Sequence, residues 1–358
     1  MKVETLQVLV INPGSTATRI ALYTPSGPLF ERKLVHDHKT LASFSSIMDQ
    51  FEYRLSEVIA ALKEAAVEPD SVAAVVARGG LLRPCAGGTY VVSDRMLEDL
   101  RNQVQGPHAS NLGGIIARAI ADAWGVPAYV VDPVSCDEFE PLARVSGLPE
   151  LPRRSLSHAL NIKATLRQAA REMQADLDVA NYIVAHLGGG ISVAACRGGR
   201  IIDVNNANEQ GPYSPERAGG VPVVPLVRLA YSGKYTREEL VRRLVGRGGI
   251  AAYLGTSDAV EVEARIARGD EFARLVYEGM AYQVAKEIGA MACVLAGDVD
   301  AVLITGGLAN ATRLVDMIRS RIEFIAEVRV YPGEREMEAL AMGAFRVLRG
   351  EEELGTYE

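Results

Sequence analysis

At 358 residues the chain is long for a single domain and points to about two. Hydrophobic residues make up 48% and charged residues 23%, as in a globular protein with a substantial core, and a net charge of −7 leaves no basic surplus for neutralising a nucleic-acid backbone. No apolar run approaches the length that crosses a bilayer, the first five residues lack the basic-then-apolar order of a leader, and Cys85, Cys136, Cys196 and Cys293 form neither a CxxC pair nor a Cys/His cluster, so a cytoplasmic protein with reduced thiols and neither nucleic-acid nor membrane partners is expected.

In chain order, residues 6–12 form an apolar run that reads as a buried strand entering the turn Asn12-Pro13-Gly14-Ser15-Thr16. Strands at 19–23 and 29–34 follow, with Pro25-Ser26-Gly27-Pro28 as the hairpin turn between them. Ile47, Phe51, Leu55, Val58, Ile59 and Leu62 recur at helical spacing. Residues 72–77 predict a buried strand ending at Arg78-Gly79-Gly80, with helices at 94–103 and 111–124 and a strand at 128–132 ending in Asp132. The second half repeats this order. A strand at 181–186 meets the turn Gly188-Gly189-Gly190, a hairpin follows at 192–197 and 200–204, and helices are predicted at 236–245, 259–268 and 270–295. A buried strand at 301–305 runs into Gly306-Gly307, 329–331 is a further strand, and 337–348 is an amphipathic helix. The repeated order reads as an internal duplication, with its boundary near Pro149 to Pro152. Only the acidic tail 351–358 reads as a candidate for disorder.

Glycine lets backbone N–H groups approach a phosphate with no Cβ in the way. One such turn is weak evidence, since any hairpin entry needs one. Two on matching halves, with a third opening a helix at 305–311, point to a phosphotransferase that holds a nucleotide against backbone. Neither GxxxxGK[ST] nor GxGxxG after the first strand occurs, which excludes a P-loop and a dinucleotide fingerprint.

These three segments resemble the phosphate-1, phosphate-2 and adenosine motifs of the acetate and sugar kinase, Hsp70 and actin superfamily. Asn12, where sugar kinases and actin usually carry Asp, matches the acetokinase variant. So do Gly106-Pro107-His108-Ala109-Ser110-Asn111-Leu112, Val131-Asp132-Pro133-Val134 and Arg153-Arg154-Ser155-Leu156-Ser157-His158-Ala159-Leu160-Asn161. Glu209-Gln210-Gly211-Pro212-Tyr213-Ser214-Pro215-Glu216-Arg217 and Tyr331-Pro332-Gly333-Glu334-Arg335-Glu336-Met337 are similar to the form found in butyrate and branched-chain fatty-acid kinases. The resemblance spans essentially the whole chain.

The resemblance implies an α/β fold of two duplicated ribonuclease H-like (actin-like ATPase) lobes, each a mixed five-stranded sheet flanked by helices, with a cleft between. The expected lobes are 1–150 with 338–358, and 151–337. It implies reversible phosphoryl transfer between ATP and butyrate or a branched-chain carboxylate, giving ADP and an acyl phosphate. Arg78, Asp132, His158 and Arg217 are the expected catalytic residues. Read alone, the bland alternatives are a surface arginine after a turn for Arg78 and an N-cap for Asp132, both ranked below the functional reading, whereas a lone histidine at a helix start, like His158, is more often a cap or packing residue. Asn12, Gly14, Ser15, Thr16, Arg19, His186, Gly188, Gly189, Gly190, Gly306, Gly307, Leu308 and Asn310 are expected around ATP or ADP. Arg19 stands where many phosphotransferases place lysine. Asp132 and Glu336 are expected on the Mg2+ side, with Glu334 and Glu338 as competitors in the same cluster. Gly80, Pro107, His108 and Ser157 are expected to line the acyl pocket. Acetate kinases commonly place phenylalanine at the position of Ser157 and a branched apolar residue at that of Gly80, so a roomier pocket is expected. A homo-oligomer, as a dimer or an assembly of dimers, is also expected. The alternatives are an acetate or propionate kinase, and a non-catalytic ATP-binding switch like actin and Hsp70 relatives.

Overall fold

The computed structural model describes residues 6–358; residues 1–5, read above for a leader, lie outside the described residues. The chain forms two compact units, Met1–Asp137 with Arg335–Glu358, and Glu138–Glu334. The changeover falls at 137/138 and 334/335, where the sequence had suggested 150/151 and 337/338. Hydrogen bonds draw the intervening segment to the second sheet. The Glu138 carboxylate accepts from Ile201 N–H at 2.7 Å, and Arg153 donates to Asp203 at 2.8 Å.

The first unit is built on six strands: β1 (Gln7–Pro13), β2 (Ala17–Thr24), β3 (Gly27–Val35), β4 (Val72–Arg78), β5 (Thr89–Val91) and β6 (Ala128–Val131). Their order is β3-β2-β1-β4-β6-β5. The antiparallel β1–β2–β3 meander continues into parallel β4 and β6. Five strands had been expected here; the sixth, β5, pairs antiparallel with β6 at the edge and is too short to leave a periodic signal. β1 and β4 are apolar on both faces because helices cover them, whereas β3 alternates exposed and half-buried positions. Leu9, Ile11, Val75 and Ala77 pack with Ile116 and Ile120 of the helix Asn111–Trp124, which ends at Gly125 with φ +66°.

The second unit carries β7 (Asn181–Leu187), β8 (Ile191–Arg197), β9 (Arg200–Val204), β10 (Ala301–Gly306) and β11 (Glu327–Pro332) in the order β11-β10-β7-β8-β9. This is the order of the first five strands of the other sheet, with the same hairpin and the same parallel pairs. The duplication read from the sequence is thus a repeat of topology. The long helix Glu271–Val294, capped by the Asp270 carboxylate on Ala273 N–H, packs its apolar face on this sheet.

The acidic tail is ordered, contrary to expectation. Gly355 N–H donates to Thr89 O at 2.8 Å, and the Tyr357 hydroxyl donates to Asp99 at 2.9 Å while accepting from Arg83 N–H at 3.0 Å. The single buried tyrosine fastens a segment whose average composition reads as solvated. All four cysteines are free thiols.

Candidate active site

In the first unit, the ends of three neighbouring strands gather charge. Asn12 is the last residue but one of β1, Arg78 ends β4 and Asp132 follows β6; the registers place Ile11 beside Ala77 and Arg78 beside Val131. Carboxyl ends of parallel strands are where open α/β sheets build their sites. Glu336, at the start of the helix Glu336–Leu348, joins them. Its Oε1 lies 2.8 Å from Arg78 Nη1, and its Oε2 accepts from Asn12 Nδ2 at 2.8 Å. Arg78 Nε is buried without a hydrogen-bond partner among the described residues, so the guanidinium retains an unused donor.

Asp132 is 2% exposed and takes φ +39°, a conformation aspartate tolerates better than most residues. Its Oδ1 accepts from Gly88 N–H at 2.8 Å and its own N–H donates to Gly88 O at 2.9 Å. The carboxylate therefore anchors the loop at Gly88. Arg19 lies directly across from Asn12 in the β1–β2 register and is exposed. Of the competing glutamates, Glu338 is exposed, and Glu334 belongs to the second unit, where its Oε1 lies 3.7 Å from His186 Nε2.

The turn after β1 is closed by Gly14 N–H donating to Ala17 O at 2.7 Å, with Ser15 and Thr16 exposed. Beneath it lies a residue the sequence reading passed over. Arg54, on the helix Phe51–Glu64, donates to Gly14 O at 2.9 Å, Ser15 O at 3.2 Å, Thr18 Oγ1 at 3.2 Å and Gln50 Oε1 at 3.0 Å. The available signal was an arginine on the apolar face, three residues after Phe51 and four before Val58. Burial holds the Arg54 pKa below its usual value, and burial with Arg54 close by pushes His36 down to about 4.

The loops expected around the acyl group meet at Asn111, also unremarked by itself. Its Oδ1 accepts from Leu81 N–H at 2.8 Å and its Nδ2 donates to Gly106 O at 3.0 Å. A Cβ at Gly80 would strike Asn111 and Leu100, so the space expected beside Gly80 is already filled by packing. Pro107 and His108 are exposed, and His108 Nδ1 bonds the Ser110 hydroxyl at 2.6 Å at the entry to the following helix.

In the second unit, His158 precedes the helix Ala159–Met173 and stacks on His186 of β7, with ring centroids 4.0 Å apart and planes at 13°. His158 Nδ1 bonds the hydroxyl of Ser192 at 2.9 Å, and Ser192 is fully buried on β8. Ser192, two residues past the glycine turn, is a further residue the sequence reading left without a role. Ser157 is 5% exposed, and its hydroxyl has no hydrogen-bond partner among the described residues.

The loop at 214–217 clips the turn 188–190. Ser214 Oγ donates to Gly189 O at 2.5 Å and accepts from Arg217 N–H at 3.1 Å. A Cβ at Gly190 would run into the Arg217 guanidinium, which occupies that space and donates to Ala207 O at 3.2 Å. Burial lowers the Arg217 pKa, with Glu216 opposing the shift. His186 and Thr305 are register partners on β7 and β10, which sets the third glycine turn beside the second. Gly306, at φ +93°, packs so tightly on the Leu187 backbone that no side chain fits. Asn310 closes the turn of Gly307 and Leu308 by donating to Gly307 O at 2.9 Å.

Among the described residues no group of three or more His, Cys, Asp and Glu side chains is gathered to cage a metal. Asp132 and Glu336 are the carboxylates at these strand ends; Asp132 Oδ1 accepts from Gly88 N–H, and the two oxygens of Glu336 are engaged by Arg78 and Asn12.

A model of the acetokinase family matches residues 153–331. A protein of Caldanaerobacter subterraneus subsp. tengcongensis named "Probable butyrate kinase 2" is 55% identical over 346 residues, covering 97% of this chain and 98% of that one. Among solved structures, the acetate kinase of Porphyromonas gingivalis superposes with a TM-score of 0.81 at 18% identity, over 96% of this chain and 99% of that one. The propionate kinase of Francisella tularensis subsp. tularensis does so with a TM-score of 0.76 at 19% identity, over 94% and 98%. These two structures speak for the duplicated fold alone. With the family model, the near-complete match to its relative and the three glycine turns in agreement, the chain belongs to the acetokinase family.

Proposed function

We propose that the protein is a short-chain fatty-acid kinase that reversibly transfers the γ-phosphoryl group of ATP to butyrate or a branched-chain carboxylate. The observation that carries this reading is the 55% identity, over nearly all of both chains, with a relative named for butyrate. The strand-end charges support it. A non-catalytic ATP switch has no need for Arg78 fixed by Glu336 at 2.8 Å or for a half-buried arginine folded against the second glycine turn.

In the forward direction a carboxylate oxygen attacks the γ-phosphorus in line. The new acyl O–P bond forms as the bond to the β-phosphate oxygen breaks, and ADP leaves. Phosphoryl transfer asks the protein for position and charge rather than covalent chemistry. Arg78, held by Glu336, binds the carboxylate or the moving phosphoryl group. Asn12, Gly14, Ser15, Thr16 and Arg19 serve the phosphates from the first turn; His186, Gly188, Gly189 and Gly190 serve them from the second. Gly306, Gly307, Leu308 and Asn310 hold the nucleoside. Ser192 engages His158 at Nδ1, so contact with a phosphoryl oxygen runs through Nε2. Arg217 adds a cation whose partial burial strengthens its field. Mg2+ beside Asp132 and Glu336, bound with the nucleotide, supplies charge neutralisation.

Ser157, Pro107 and His108 are proposed at the acyl group. We place the enzyme in the cytoplasm: no helix among the described residues is long and apolar enough to cross a membrane, and the net charge is −7. A homo-oligomer accounts for the helix Val223–Ala230, which has no buried residue while Val223, Val224 and Val227 are exposed.

A hydroxamate assay with acetate, propionate, butyrate, isobutyrate and valerate tests the reading. Acyl phosphate formed best from the four-carbon acids is expected. A preference for acetate or propionate would make the protein an acetate or propionate kinase, and no carboxylate-dependent turnover would make it a switch.

A further inference from the structure

Arg54 is a fully buried guanidinium, at 0% exposure, that meets only neutral acceptors. No carboxylate lies within ion-pair distance of it among the described residues. The neighbouring base cannot serve as counter-charge either. His36 Nε2 bonds Thr18 Oγ1 at 2.8 Å, and imidazole is neutral or positive. A cation buried without an anion is a costly arrangement for stability alone. Its position suggests what compensates it.

Two consecutive carbonyls, Gly14 O and Ser15 O, point at this one guanidinium, 2.9 and 3.2 Å away. Among the described residues there is no cis peptide bond. In a trans peptide the C=O and the following N–H point in opposite directions. The N–H groups of Ser15 and Thr16 are therefore turned away from Arg54, at the exposed side of the turn. Successive outward N–H groups form an anion-binding concavity, and the charge behind them is positive.

We propose that Arg54 is a positioning residue for the phosphates of a nucleoside di- or triphosphate at this turn. It fixes two amides toward the phosphate, and the phosphate in turn offsets its buried charge. The inference rests on the reading of 12–16 as a phosphate turn.

The test combines Arg54→Lys and Arg54→Met with ADP titration by calorimetry, Tm with and without ADP, and kcat and KM for the carboxylate. Arg54→Lys keeps the charge but cannot hold both carbonyls in a planar fork. A roughly ten- to hundredfold loss of ADP affinity is expected, the scale of charge-assisted hydrogen bonds. The ADP-induced rise in Tm should shrink and kcat should fall, with carboxylate KM changing less than about twofold. Lower Tm with an undiminished ADP-induced rise and unchanged kcat would reduce Arg54 to a structural clamp and overturn the inference. If both variants fail to fold, the wild-type protein decides: saturating ADP should shift the amide resonances of Ser15 and Thr16, and unmoved resonances would overturn it. Wild-type binding of ADP without those shifts refutes the role of Arg54 alone, whereas absence of any ADP binding refutes the kinase reading beneath it.

Discussion

Arg78 is aimed before any substrate arrives, because Glu336 holds one of its nitrogens at 2.8 Å and Asn12 holds Glu336. Preorganised charge is what phosphoryl transfer draws on. Arg78→Ala should reduce turnover by roughly 10²–10³ while ADP still binds, which paired kinetics and calorimetry will check. Asp132 anchors Gly88 and is proposed on the metal side, and a single substitution separates the two. Asp132→Asn keeps an oxygen for Gly88 N–H but removes the charge, so turnover should fall with little change in Tm. A drop in Tm with turnover intact would leave Asp132 only its anchoring bond. Ser157 tests the acyl pocket more cleanly than Gly80, whose vacant side is filled by Asn111. Ser157→Phe should move preference toward acetate or propionate in the hydroxamate assay. Because Ser157 is 5% exposed, the added ring should also cost about 1–3 kcal/mol of stability, so the ratio between acids is the quantity to compare. An unchanged chain-length profile would remove Ser157 from the pocket.

At the scale of elements, both glycine turns proposed to bind phosphate owe their shape to side chains from distant segments. Arg54 supports the first from a helix, and Arg217 with Ser214 supports the second from a loop. The first arrangement has a pH signature. His36 drops from 6.5 to about 4 because it is buried and lies near Arg54, with the Tyr53 ring and Thr18 as its other neighbours. The unfolded chain takes up a proton near pH 6.5 and the folded one does so only near 4. Stability from this group is therefore complete above about 6.5 and is lost as pH falls toward 4. Urea midpoints of the wild type should decline across that window, and His36→Gln should flatten the decline. Equal slopes would show that other groups govern it.

For the whole molecule, one five-strand order recurs in both sheets, each with a glycine turn after its first strand, and both turns are proposed to face phosphate. The exposed apolar helix Val223–Ala230 is the surface proposed for assembly. Sedimentation should show a dimer or larger species, and Val227→Glu should weaken it without lowering Tm; a monomeric wild type would dismiss that surface. Much of this was legible in the residues. Continuous apolar runs marked β1, β4, β7 and β10, glycines marked the turns, and the order of elements revealed the duplication, because burial on both faces, and positive φ at Gly27, Gly198, Gly199 and Gly306, are local demands that fix residue type. What the sequence left undetermined was decided by pairing across long separations. Glu336 reaches Asn12 from 324 residues away, and Arg54 reaches Gly14 from 40. Arg217 fills the space that Gly190 leaves, Asn111 fills the space beside Gly80, and Tyr357 orders an acidic tail. Periodicity records that a side chain is buried; only the packed chain decides against what.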